Sequence, residues 1–173
     1  KKPTRVSMDT ELQNLIAILG IDENQVNKRK VEVNTFPEYF SSLKEEVHQH
    51  IDKVLARTNK DSYYWQVDKD SLHLIFSSYR IVSSHRKVER QLGNCNYAKK
   101  RIRLNFGNRS FTKDQCRRTL IHEYVHAITK EFYNYSGHGE LFMFYNNLLQ
   151  LAFKKDYRQK HYNEIQESMN AKT

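Results

Sequence analysis

Three residues near the middle of the chain have the types and spacing that metal chemistry needs. The segment TLIHEYVHAITK, residues 119–130, sets His122 and His126 four positions apart, with Glu123 directly after the first. Positions four apart on an α-helix share a face and lie about 6 Å apart along the axis. Both imidazoles can then face one ion, while Glu123 projects to the side of it. A carboxylate so placed can reach a water on the ion without binding the ion, which is the mechanical content of H-E-x-x-H. Two neutral imidazoles and an open position suit Zn2+, and one such ion is expected. Zinc there would activate water and polarise a carbonyl. Glu123 is the expected catalytic residue, taking a proton as general base and returning it to the leaving amine.

A third ligand should lie downstream. A metzincin continuation would need Gly at 129 and His at 132, but the chain has Thr129 and Phe132. Two candidates remain, His138 in SGHGELF and the carboxylate of Glu140. His138 is favoured, because Gly137 and Gly139 on either side permit the sharp turn that returns the chain to the first helix. The expected metal set is therefore His122, His126 and His138. Uncompensated burial of three such groups in an apolar helix would be costly, which argues for a shared ion. His48, His50, His73, His85 and His161 show no ligand spacing and are expected at the surface or in packing. Tyr133, Tyr135 and Tyr145 lie near enough in sequence to be considered as oxyanion stabilisers, with packing as the alternative for each.

The elements that must position these groups are visible as periodic patterns. Thr10 with Gln13 reads as a capping box, and Leu12, Leu15, Ile16 and Leu19 follow at helical spacing up to Gly20. Thr35 with Glu38 is a second box. It opens an amphipathic helix over 35–57 with the stripe Phe40, Leu43, Val47, Ile51, Val54 and Leu55. Asp70 or Ser71 should cap a third helix through Leu72, Ile75, Phe76 and Tyr79. Two strands follow, near 87–95 and 99–106. In the second, Ile102, Leu104 and Phe106 face one way while Arg101, Arg103 and Asn105 face the other. Thr112 with Gln115 is a third box, starting the histidine helix over about 113–131. NYSGHG at 134–139 breaks it. Leu141, Phe142, Tyr145, Leu148, Leu149 and Ala152 then predict another helix, with a basic tail from Lys154.

Composition bounds the rest. The chain of 173 residues suits one domain, and its two cysteines exclude a disulfide scaffold or a four-cysteine zinc ribbon. Cys95 and Cys116 read as free thiols in a reducing compartment. No apolar run is long enough to cross a membrane. An intracellular site, cytoplasm or nucleus or nucleoid, is expected; the chain begins at Lys1 and not Met, so the lack of a visible leader weighs little. Lys plus Arg number 29 against 20 Asp plus Glu, a net +9, which favours polyanionic partners. The cationic candidates for nucleic-acid contact are Arg86, Lys87, Lys99, Lys100, Arg101, Arg103, Arg117 and Arg118. SYYWQ at 62–66 could stack bases, although packing ahead of the third helix is the more ordinary use.

RIRLNF, then TLIHEYVHA, then GHGELF resembles the SprT-like family, which includes the Spartan proteases. SLHLIFSSYRIV resembles that family's helix ahead of its sheet, and LGNCNY its Gly-x-Cys segment, so the likeness covers about residues 70–153. It implies an α+β, zincin-like metalloprotease domain. The domain should be mostly helical, with a small antiparallel β-ribbon or sheet before the H-E-x-x-H helix. It also implies His122, His126 and His138 as zinc ligands and Glu123 as the catalytic glutamate. Residues 1–69 are then expected as an N-terminal helical part packed on the catalytic core at 70–153, and 154–173 as a basic tail. The expected activity is a zinc endopeptidase, expected as a monomer, acting on DNA-associated or DNA-crosslinked protein, with DNA as activator or scaffold. A protease effector or toxin aimed at specific host proteins, or a zinc-stabilised nucleic-acid-binding module without turnover, are the competing expectations. The 101–106 strand is expected at an exposed edge where substrate could pair through its main chain.

Overall fold

The computed structural model describes residues 3–22, 40–84, 91–105 and 113–171. Five α-helices and three short strands are found among them. Helix α1 spans Met8–Leu19. Its cap is Ser7, whose hydroxyl accepts the Thr10 amide at 3.1 Å, so the helix starts earlier than the Thr10 box predicted. Gly20 ends it in the left-handed region, as expected, with φ 68°. Helix α2 spans Phe40–Thr58, and a single 3-10 turn follows at Asn59–Asp61. The expected start at Thr35 lies outside the described residues. Helix α3 spans Lys69–Ser78 and is capped by Asp68, whose carboxylate accepts the Ser71 amide at 2.9 Å. Asp70 and Ser71, the predicted caps, sit instead in the first turn.

The strands are β1 (Arg80–Ser84), β2 (Gly93–Asn96) and β3 (Arg101–Asn105). They form a mixed sheet in the order β1-β3-β2, with β1 parallel and β2 antiparallel to β3. The predicted antiparallel pair is present but shorter, since residues 97–100 form the turn between its strands. Strand β1 was not foreseen. Its presence corrects a second expectation: β3 is bonded on both sides and is the centre of the sheet. The edge beside the histidine helix is β2.

Helix α4 spans Lys113–Tyr133 and carries both H-E-x-x-H histidines; the predicted Thr112 cap lies outside the described residues. Helix α5 spans Glu140–Ala171, so the chain beyond Lys154 continues as helix. Helix α4 packs on β2, β3, α2 and α5, and α1 packs on α2 and α5. One cluster of buried apolar side chains runs through all of them, from Leu15 and Leu43 through Ile102 and Leu120 to Leu148 and Phe153. Trp65 of SYYWQ is fully buried in it as packing, while Tyr63 is exposed. That segment is tied to α1 by the buried Glu11, which accepts from Ser62 Oγ at 2.9 Å and from the amides of Tyr63 and Tyr64.

The sheet approaches α4 most closely at Gly93. A Cβ there would lie 2.8 Å from Thr119 Cγ2 and 3.0 Å from the Arg103 carbonyl oxygen. A methyl group cannot enter without moving strand or helix, since overpacking of this kind costs about 1–3 kcal/mol. Gly93→Ala should therefore lower the unfolding free energy by about 1–3 kcal/mol, seen as a lower denaturation midpoint. Equal stability of variant and wild type in urea titrations would show that the contact is not tight.

Candidate metal centre

Helix α4 presents His122 and His126 on one face, four positions apart. It ends at Asn134, which takes a left-handed φ of 51°, and the amides of Asn134 and Tyr135 return to the carbonyls of Lys130 and Thr129. The loop then reverses. Tyr135 accepts the Gly139 amide through its hydroxyl, and a Cβ on Gly139 would stand 2.2 Å from that oxygen, so any larger residue there must displace the phenol. This staple carries His138 back over α4.

The three imidazoles converge. His126 Nε2 lies 3.0 Å from His138 Nε2, and His138 Nε2 lies 3.3 Å from His122 Nε2. The three ligand atoms all fall within 4.8 Å of one another. Tetrahedral zinc with Zn–N bonds of about 2.0–2.1 Å needs ligand nitrogens roughly 3.3 Å apart. The residues present therefore fit the ion. Glu140, the alternative ligand, is exposed at the start of α5 and is not part of the cluster. All three rings rest on Phe142, with centroid distances of 4.8, 4.5 and 4.8 Å for His122, His126 and His138. Phe142 is itself buried, so the floor under the ligands belongs to the core.

Electrostatics suits a cation. Burial lowers the pKa of His122, with His138 adding to the effect, and lowers that of His126 to about 4, so both rings are neutral and able to ligate near pH 7. Burial raises Glu123 to about 7, and its Oε1 lies 3.9 Å from His122 Nε2. The carboxyl is thus basic enough to take a proton and stands beside the point where the imidazoles meet. These groups line a cleft of about 860 Å³, whose far wall is Leu92, Gly93, Asn94 and Cys95 along the edge of the sheet.

Other predicted residues lie elsewhere. Tyr133 and Tyr145 both donate to the Tyr64 carbonyl, at 3.1 and 2.5 Å, and Tyr135 is engaged by Gly139, so all three serve the framework. His48 stacks on Phe76 and bonds Tyr124, His50 bonds the Leu149 carbonyl, and His73 pairs with Asp52, as packing or surface groups should. Both cysteines are free thiols, and burial raises Cys95 to about 12. The six cationic candidates among the described residues do not form one surface. Arg117 is buried, with Nη2 3.1 Å from Glu46 Oε1, which removes it from any exposed patch. Arg118 lines the cleft. Lys99 and Lys100 sit in the β2–β3 turn, and Lys100 pairs with Glu131 at 3.4 Å. Arg101 and Arg103 are half-buried on the sheet face opposite Ile102 and Leu104. Arg86 and Lys87 lie outside the described residues. Two contributors went without an assigned role at the centre: Gly93 and Tyr97, both in the LGNCNY segment, the Tyr97 hydroxyl being 3.4 Å from His126 Nδ1.

The raised Glu123 pKa has a consequence for the metal-free protein. Its folded value of about 7 exceeds the ordinary 4.5, so its stabilising contribution is complete below 4.5 and is lost as pH rises through 7. The penalty at pH 8 amounts to about 3 kcal/mol. With a chelator present, Glu123→Gln should be more stable than wild type at pH 8 by up to that amount, and the gap should close near pH 4.5. Denaturant titrations showing a gap independent of pH would contradict the burial argument.

A model of the SprT-like family matches residues 66–163, more than half the chain and all three histidines with Glu123. Searches of curated proteins and of solved structures gave no match. With a mostly helical fold, a small mixed sheet and a histidine trio able to hold a metal, the chain belongs to the SprT-like family, a zinc-associated family of metalloprotease-type domains.

Proposed function

We propose that this protein is a zinc-dependent endopeptidase of zincin-like architecture that acts on DNA-associated or DNA-crosslinked proteins. The observation that carries the hydrolase is the convergence of three imidazoles, with His138 Nε2 at 3.0 and 3.3 Å from the Nε2 atoms of His126 and His122, beside a buried carboxylate in an open cleft. His122, His126 and His138 would hold the ion. When bound, zinc supplies the charge that acidifies water and polarises the scissile carbonyl. Glu123 takes the proton from the attacking water and delivers it to the departing amine nitrogen. Strand β2 offers the peptide an edge. Among the described residues no other strand pairs with it on its outer side, and Asn94 and Cys95 border the cleft. An extended substrate bonded there through its main chain crosses the cleft without regard to most side chains.

Support for the DNA part is electrostatic. The net charge of +9 favours a polyanion, and Arg80 lies in register with Arg101 across the outer face of the sheet, next to Arg103. The deciding experiment compares cleavage of a DNA-bound or DNA-crosslinked protein by zinc-loaded wild type and Glu123→Gln, with single-stranded, double-stranded or no DNA. Wild type should cleave, and DNA should accelerate it. The variant should keep one zinc per chain and lose about 10²–10⁴-fold in rate. Cleavage at one defined site regardless of DNA would remove the DNA role and favour an effector protease. A zinc-loaded wild type inert toward every protein offered would leave a binding module.

A further inference from the structure

We infer that Tyr97 is a positioning residue for the metal centre, holding His126 in the tautomer and orientation that ligation requires. The inference rests on the reading of His122, His126 and His138 as metal ligands. His126 turns Nε2 toward His138 at 3.0 Å, which leaves Nδ1 facing the β2–β3 turn. A neutral imidazole that gives its lone pair through Nε2 must carry its proton on Nδ1. That proton needs an acceptor, since the ring is half-buried, and the tautomer is set by the partner it finds. Tyr97 stands there, its hydroxyl oxygen 3.4 Å from Nδ1. This is at the long end of hydrogen-bond distance.

Tyr97 is held for the task. It begins the turn closed by the Lys100 amide on the Tyr97 carbonyl at 3.3 Å. The Lys130 ammonium lies 5.6 Å from its ring centroid, one helical turn beyond His126. One phenol oxygen therefore links the β2–β3 turn to the helix that carries His126. Nothing in the spacing of residues 97 and 126 announces this in the sequence.

Tyr97→Phe keeps the ring and removes the oxygen. Zinc affinity, measured at pH 7.5 by competition with a chromophoric chelator, should weaken about 10–100-fold, the usual cost of losing a partner of a ligating histidine. The visible absorption of the Co2+-substituted protein should change in shape or intensity, while the melting temperature of the metal-free variant stays that of wild type. Unchanged zinc affinity together with an unchanged Co2+ spectrum would overturn the role. So would a variant with normal zinc affinity and reduced kcat, which would place Tyr97 on the substrate. If wild type takes up no zinc, or His126→Ala binds it as tightly, the metal reading itself fails, an outcome separate from failure of Tyr97 alone.

Discussion

Three imidazoles whose ligand nitrogens all lie within 4.8 Å of one another, His138 within hydrogen-bond length of both others, are the constraint around which this molecule is organised. His138 faces both His122 and His126 through the same nitrogen atom. Neutral rings cannot satisfy such a meeting point on their own, because one nitrogen supplies at most one proton or one lone pair in that direction. A cation resolves the conflict. Protonation of His122 or His126 does not, since burial disfavours charge on both. Phe142 fixes the plane on which the rings stand, and because it is core its position is set by the packing of the whole domain.

The surrounding features keep this arrangement in register. The staple between Tyr135 and Gly139 brings His138 over the helix. Gly93 lets the sheet come close enough for Glu123 Cγ to lie 3.4 Å from where a Cβ would be, so the strand walls in the carboxylate and deprives it of water. The same closeness that raises the basicity of Glu123 also sets the sheet edge beside the cleft. Basicity, access and edge are thus properties of one packing contact between β2 and α4.

Features that depend on local geometry were readable in the sequence, and features that depend on distant partners were not. His122 and His126 could be paired because a helix fixes their relation, and His138 because glycines flank it. The stripes of α1, α2 and α5 were equally plain. Strand β1 escaped notice because Arg80–Ser84 is short and follows directly on helical spacing, and its parallel partner β3 lies about twenty residues away. Without β1, β3 looked like an edge. Arg117 and Arg118 are adjacent and chemically alike, yet one is buried against Glu46 and the other borders the cleft, a difference that only the position of α2 decides. Tyr97 meets His126 across the β2–β3 turn, where no periodicity connects them.

The continuous apolar core has an implication for where this protein can be divided. The family match begins at residue 66, but the helix bearing the histidines leans on Leu43, Val47 and Ile51 of α2, and α5 leans on α1. The unit that evolution has labelled is smaller than the unit that thermodynamics recognises. Cutting at the edge of the recognisable segment would strip one side of α4 and expose a sheet of aliphatic surface to water. The ligand geometry would then depend on helices that had lost their support, so α1 and α2 are structural partners in whatever chemistry the histidines perform.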